Sequence, residues 1–149
     1  VNAYHQILIE LGRFDQLLAE TEAQANSTKP DDWVILQMRG VAKARKNDRD
    51  GAIAEFDRAL TLATEAGNEQ AVTQVATTIA QVAGVDATLQ RLNDRIQTDT
   101  RWKFFAAELH KQKQDFVMAI KLYEEVLADP ALGPNARLTV LRSLGSTYL

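Results

Sequence analysis

Apolar and small residues recur three and four positions apart along most of the chain, and this spacing is typical of amphipathic α-helices. The clearest example carries Leu36, Gly40 and Ala44 on one predicted helix face and Phe56 and Ala59 on the next. Short polar or glycine-containing segments separate such stretches and predict turns. The pattern predicts helix pairs over residues 1–28, 31–66, 69–98 and 100–129, followed by an unpaired helix over residues 134–149.

One part of this pattern occurs twice in the chain. The string Ala52-Ile53-x-x-Phe56-x-x-Ala59-Leu60 returns 67 residues later as Ala119-Ile120-x-x-Tyr123-x-x-Val126-Leu127. Two periods of about 34 residues produce this offset, and that period is typical of helix-turn-helix repeats. Because one such repeat cannot bury its own apolar face, neighbouring repeats have to stack. The sequence therefore predicts an all-α protein of the solenoid class.

A longer motif around the first copy points to a family. The string is Arg39-Gly40-x-Ala42-x(5)-Asp48-x-x-Gly51-Ala52-Ile53-Ala54-x-Phe56-Asp57-Arg58-Ala59-Leu60, and it resembles a tetratricopeptide repeat of the bacterial type. Small residues at positions 40, 52 and 59 allow the two helix backbones to approach closely. The fourth pair repeats the pattern with Trp102, Phe105, Ala119 and Tyr123. The remaining repeats are degenerate, most of all the third, which lacks the aromatic residues of the family. The resemblance implies a right-handed α-solenoid of antiparallel helix pairs, in which the first helix of each pair lines the concave face.

Turn and cap residues give a finer expectation for where each helix begins and ends. We place the turns within the first three pairs at Gly12, Asn47 and Gly84. Gln114 is interpreted as one extra residue in the turn of the fourth pair. The N-caps of the second and fourth pairs are expected to be Asp31–Asp32 and Thr100.

Composition narrows the class of protein without changing this picture. The chain has 149 residues, of which 46% are apolar and 25% charged, as is usual for globular domains. It has no cysteine, so it contains no disulfide and no thiolate metal site. No run approaches the roughly 18 apolar residues of a membrane-spanning helix, and no signal peptide is recognisable. We expect a segment cut from a longer protein, with the compartment open and the cytoplasm preferred.

Candidate catalytic groups are sparse. The two histidines, His5 and His110, are far apart in sequence, and His110 is interpreted as a favourable residue at a helix C-terminus. Adjacent acids such as Glu124–Glu125 point in different directions on a helix. We therefore expect no enzyme activity, no cofactor and no metal site in this segment.

Charge is distributed unevenly between the two sets of predicted helices. The first helices of the pairs, with the terminal helix, sum to +7, and the second helices sum to −8. If the first helices line a concave groove, that groove attracts acidic peptides. The alternative is that the charges only complement helix dipoles. Projection of the groove-facing positions gives Gln37, Val41, Arg45, Gln74, Thr78, Gln81, Phe104, Lys111 and Arg142 as candidate contact residues. Phe104 is interpreted either as an exposed aromatic anchor or as a contact with the adjacent repeat, and the contact is slightly preferred.

The functional prediction is a protein-protein interaction scaffold that binds a peptide or helix, including an acidic segment, in its concave groove. One alternative is an accessory or regulatory domain of a larger enzyme or transcriptional regulator. Another is self-association through the apolar face of the terminal helix, which carries Leu138, Leu141 and Leu144. Nucleic acid is not expected as a partner because the sequence pI is about 5.4.

Overall fold

The structure is a computed structural model that describes residues 2–149, with side chains from Ala3 onward. Its regular structure is helical, and residues 2–149 contain no strand, which confirms the all-α prediction. The chain divides into two compact units, one that ends at Gly84 and one that spans Val85–Leu149. None of the described helices is long and apolar enough to cross a membrane.

Five α-helices belong to the first unit: α1 (Asn2–Glu10), α2 (Phe14–Glu20), α3 (Trp33–Arg45), α4 (Arg49–Glu65) and α5 (Glu69–Ala83). Four belong to the second: α6 (Val85–Thr98), α7 (Thr100–Gln112), α8 (Phe116–Leu127) and α9 (Pro134–Thr147). Two short 3-10 turns, Glu22–Gln24 and Pro30–Asp32, lie in the connection between α2 and α3. The helix bounds lie within a few residues of those read from the hydrophobic pattern, apart from the shorter α2.

The turn between α3 and α4 explains why two helices can follow each other so closely. Asn47 adopts a left-handed conformation, with φ of 64°. Its N–H donates to the carbonyl of Ala44 at 3.0 Å, and the N–H of Asp48 donates to that of Lys43 at 2.9 Å. These two bonds satisfy carbonyls that the end of α3 would leave without a partner. The side chain of Asp48 then accepts the N–H of Gly51 and caps α4.

The same turn recurs 67 residues later, and one interpretation from the sequence is corrected there. Gln114 also has a positive φ, 65°, and its N–H donates to Lys111 while that of Asp115 donates to His110. Gln114 is therefore not an extra residue, because it occupies the place that Asn47 holds between α3 and α4. The expected turns at Gly12 and Gly84 also have positive φ.

Two predicted N-caps are wrong. Asp32 precedes α3, but its side chain makes no capping bond and instead accepts a hydrogen bond from Ser27. Thr100 is the first residue of α7, and the carboxylate of Asp99 caps that helix through the N–H of Arg101 at 2.9 Å. The Thr100 hydroxyl donates to Asp129 instead, at 2.6 Å. In both places a nearby side chain competes with the helix end for the same polar group.

Close approach of α3 and α4 depends on a glycine. A Cβ built on Gly40 would lie 2.5 Å from the ring of Phe56, which is fully buried. The aromatic ring therefore packs directly on the backbone of α3, as the small residue at position 40 predicted. Helix α5 completes the core of this unit with an apolar face that includes Val72, Val75 and Ile79.

In the second unit, Tyr123 of α8 is fully buried among α7, α8 and α9. Its hydroxyl donates to Glu108 of α7 at 2.5 Å. Burial, followed by the bond to Glu108, raises the pKa of Tyr123 well above its usual range. The protonated hydroxyl thus links α8 to α7, and Val140 of α9 belongs to the same apolar cluster as the Tyr123 ring.

Candidate functional site

A groove lies in the first unit between α3 and α5, with a volume of about 460 Å³. The two helices are first members of successive predicted pairs. Five of the nine predicted contact residues line it. The lining consists of Gln37, Val41, Ala44, Arg45, Thr78, Gln81 and Val82.

Helical spacing accounts for this convergence. Positions 37, 41, 44 and 45 share one face of α3, and 78, 81 and 82 share one face of α5. Gln74, the sixth residue predicted in this unit, is exposed and does not line the groove. Its backbone carbonyl accepts the hydroxyl of Thr78 at 3.0 Å. Thr78 therefore offers the groove an acceptor oxygen, because its proton is already engaged.

The polar groups of the groove have unused hydrogen-bonding capacity. The side-chain oxygen of Gln37 is buried and has no hydrogen-bond partner. Arg45 is exposed, and among the described residues nothing pairs with its guanidinium. Gln81 is exposed as well. An amide pair and one cation are groups that bind peptide backbone and a carboxylate, respectively.

Of the two interpretations of Phe104, the structure rules out the exposed aromatic. This residue is half-buried rather than exposed, and its ring centroid lies 6.0 Å from that of Tyr123. It forms one wall of an apolar cavity in the second unit. The ring of Tyr123 from α8 lies on one side of Phe104, and residues of α9 line the other side of the cavity.

The last two predicted contact residues lie on α7 and α9. The ammonium of Lys111 donates to the hydroxyl of Ser146 and to the carbonyl of Ser143, the latter at 3.4 Å. It therefore links α7 to α9. Arg142 is exposed, and no partner for it occurs among the residues described. Of the nine predicted residues, the structure brings five into one groove and distributes the others.

A buried ion pair between α3 and α4 was missed by sequence reasoning. Arg39 and Glu55 are only 2% and 4% exposed, and Nε of Arg39 donates to Glu55 at 3.0 Å. Lys43 pairs with the same carboxylate at 2.9 Å. The available signal was Glu55 itself, since it falls within the apolar stripe that includes Ala52 and Ala59.

The arginine also holds the connection that follows α2. Its guanidinium donates to the carbonyl of Leu18 and to the hydroxyl of Thr21, both at 2.9 Å, and pairs with Glu22 at 3.1 Å. Thr21 is itself buried. Arg39 thus serves packing and contributes nothing to the charge of the groove, although the sequence count included it.

Further pairs reduce the predicted charge separation. Lys46 pairs with Asp15, Lys103 with Glu125 at 3.8 Å, and Lys113 with Asp86 at 2.7 Å. Each joins a cation of a first helix to an acid of a second helix within the same unit. The hydrogen bond from Lys113 lowers the pKa of Asp86. Much of the predicted field is therefore neutralised locally, and Arg45 is the cation that remains in the groove.

Neither histidine forms part of a metal cluster. Nδ1 of His110 lies 3.2 Å from a carboxylate oxygen of Asp115, and His5 is buried in α1. Within the described part of the chain, no three His, Asp or Glu side chains gather in a group that could hold a metal ion.

Comparison of the sequence with family profiles, with curated proteins and with solved structures gave no match. Membership of the tetratricopeptide family therefore stays a prediction from the motif and the period. The functional argument rests on the groove, its lining residues and their unused hydrogen-bonding groups.

Proposed function

We propose that the chain is a tetratricopeptide-like solenoid segment that binds an extended peptide with an acidic residue in the α3/α5 groove. One observation carries this proposal. Five residues that were projected onto a concave surface from the sequence line a single groove, and Arg45 in it has no described partner. The acidic residue pairs with Arg45 in the proposed complex.

The repeat character is supported by helix register. Helices α3 and α7 begin at 33 and 100, and α4 and α8 begin at 49 and 116, so both pairs are offset by the same 67 residues. The left-handed turn residues Asn47 and Gln114 keep the same offset. Equal spacing of helix starts and turns is what two periods of a repeat of about 34 residues produce.

The mechanism is display of a preformed surface. In the proposed complex, Gln37 and Gln81 exchange hydrogen bonds with the peptide backbone, since an amide side chain both donates and accepts. Val41 and Val82 contact apolar portions of the peptide. Because helix packing fixes these positions before binding, little conformational entropy is lost by the receptor.

Peptide binding measured over a salt series tests this proposal. The probe is a library of extended peptides that carry a single Asp or Glu, titrated against the chain and against Arg45→Gln. We expect the substitution to weaken binding by about three- to tenfold at low salt, with a smaller difference at high salt. The matched control is Lys29→Gln, an exposed cation of the same unit outside the groove.

Equal affinities for the original chain and Arg45→Gln at every salt concentration would contradict the acidic-peptide proposal. A loss of affinity on Gln37→Ala with no effect of Arg45→Gln would retain the groove and remove the acidic preference. An equal loss with Lys29→Gln would indicate attraction by net charge rather than a site.

A further inference from the structure

A cavity of about 320 Å³ lies in the second unit and takes no part in the proposed function. Residues of α7, α8 and α9 line it. Val126 and Val140 form its deep part, since they are only 1% and 3% exposed. Ala136 and Thr139 of α9 are exposed and form its mouth, and the ring of Phe104 forms one wall. The interior surface of the cavity therefore consists mainly of carbon atoms.

The hydroxyl groups in the lining are already engaged within the protein. That of Thr100 donates to a carboxylate oxygen of Asp129 at 2.6 Å. That of Thr139 donates to the carbonyl of Asn135 at 3.1 Å. A water molecule in a cavity needs about two to four polar partners, and a buried polar group of a ligand needs a partner as well. The cavity is therefore a poor site for water and for a polar ligand.

The charges beside the cavity balance each other. Each of three cations has an acid for a partner: Arg101 with Asp99 at 3.0 Å, Lys103 with Glu125 at 3.8 Å, and Arg137 with Asp129 by electrostatic attraction. These pairs leave no excess of either sign at the mouth. The surroundings therefore favour neither an anion nor a cation.

We propose that this cavity binds a small neutral aromatic molecule of one or two rings. Its volume is about twice the ~150 Å³ of an apolar protein cavity that binds benzene, so one substituted ring or two fused rings fit inside it. The Phe104 ring offers a surface on which such a ligand stacks in the offset arrangement that aromatic pairs prefer.

Burial of apolar surface supplies the affinity. The ligand and the side chains of Phe104, Val126 and Val140 lose contact with water together. A charged ligand would lose its hydration on entry and meet only side chains that are already paired. The inference is independent of the proposed function, because the α3/α5 groove belongs to the first unit.

Three probes of similar size test the proposal: toluene, benzoate and benzylammonium. Each is titrated into the isotopically labelled chain with NMR detection, which also reports which residues respond. We expect toluene to shift the signals of Phe104, Ala136 and Val140 saturably, with a dissociation constant on the order of 1 mM or tighter. Benzoate and benzylammonium should each bind at least about tenfold more weakly.

Filling the mouth provides the matched variants. Ala136→Phe and Thr139→Phe place a ring in the cavity from exposed positions, and each should weaken toluene binding by about tenfold or more. Ala128→Phe is the control, because Ala128 is exposed at the end of α8 and does not line the cavity. Thermal melts show whether each variant remains folded, and toluene should raise the melting temperature of the original chain and of the control alone.

Three results would overturn the inference. The first is a toluene response that stays linear up to the solubility of toluene. The second is equal affinity for toluene and for either ion, which would remove the selection for neutral ligands. The third is saturable toluene binding that persists in both filled variants, which would place the site elsewhere. The peptide titrations of the Arg45 groove are unaffected by any of these results, so the proposed function is tested separately.

Discussion

Two helix pairs, α3/α4 of the first unit and α7/α8 of the second, bury the same register positions and fill them differently. In the first pair these positions are Arg39, Gly40, Ala42, Ala52, Glu55, Phe56 and Ala59. Sixty-seven residues later they are Ala106, Ala107, Leu109, Ala119, Leu122, Tyr123 and Val126. The shared features are small residues at the crossing and a left-handed turn, and these determine the geometry of the pair.

The largest difference is electrostatic. The first pair holds the buried ion pair Arg39–Glu55, and the second has Ala106 and Leu122 at the same places. One repeat geometry thus accepts either an ionic or an apolar contact. The crossing of the two helices therefore depends on side-chain size and not on the ion pair. Arg39 of the ion pair also binds the connection after α2, through Leu18 and Thr21.

A second difference lies at the edge of each pair. Gln37 lines a polar groove, while Phe104, at the corresponding position, lines an apolar cavity. Two helix pairs with the same backbone geometry therefore carry different side chains on this surface, polar in the first pair and apolar in the second. This is the property expected of an interaction scaffold that reads more than one residue type.

Breaking the ion pair is the strongest test of this comparison. Arg39→Ala leaves Glu55 buried with only Lys43 beside it, and we expect the free energy of unfolding to fall by about 3 kcal/mol or more. The double variant Arg39→Leu with Glu55→Leu replaces the ion pair with an apolar contact, like the one in the second unit. We expect it to recover most of the lost stability. Urea denaturation measures both. A single variant as stable as the original chain would show that the ion pair is dispensable.

The crossing residue gives the next largest effect. Gly40→Ala places a methyl group against the Phe56 ring, and overpacking costs about 1–3 kcal/mol, partly offset by up to about 1 kcal/mol of helix propensity. We expect a net loss of stability. The companion variant Ala107→Gly should cost about 1 kcal/mol through propensity and about 0.8 kcal/mol more through loss of its buried methyl group. Thermal unfolding distinguishes them, and a stabilised Gly40→Ala variant would contradict the close contact.

One surface ion pair should make the stability of the second unit depend on pH. The hydrogen bond from Lys113 lowers the pKa of Asp86 and raises that of Lys113. A lowered carboxyl pKa adds stability above about pH 4, and that stability is lost as pH falls through the folded-state value. A raised lysine pKa adds stability below about pH 10, which disappears at higher pH.

Asp86→Asn should therefore lower the melting temperature slightly near pH 7 and have no effect near pH 2. Asp94→Asn is the control, because Asp94 is exposed on the same helix and its side chain makes no described contact. If Asp86→Asn lowers the melting temperature equally at both pH values, the ion pair with Lys113 is not the cause.

The smallest effect concerns the outer surface of α9. Leu138 and Leu141 are 49% and 47% exposed, whereas Leu144 packs on the core of the second unit. Self-association through this face stays a prediction, and Leu138→Glu with Leu141→Glu should reduce it without changing stability much. Light scattering over a concentration series measures it. Identical masses for the original chain and the variant at high concentration would rule out this face.

The sequence predicted the elements well because helix period and turn chemistry are local. The turns at Gly12, Asn47 and Gly84 follow from residues that tolerate positive φ. The features that the sequence did not predict depend on contacts between helices. Gln114 is left-handed without being a usual residue for that conformation, and the half-buried state of Phe104 depends on its contact with Tyr123 of α8.

Candidate contact residues show the same division. Five of them line one groove, because spacing on a helix face follows from sequence. The charge of that groove was overestimated, since counting by helix cannot reveal which cations pair. Arg39 and Lys43 share Glu55, and Lys46 pairs with Asp15.

The most direct test of the account is an NMR titration of the isotopically labelled chain with an extended acidic peptide. If the peptide binds in the α3/α5 groove, the signals of its lining residues shift together with one dissociation constant. These residues are Gln37, Val41, Arg45, Thr78 and Gln81. In that case the opposite, outer positions of α4 do not respond. Shifts that concentrate on α4, or are absent from both α3 and α5, would contradict the central claim that these two helices form the binding groove.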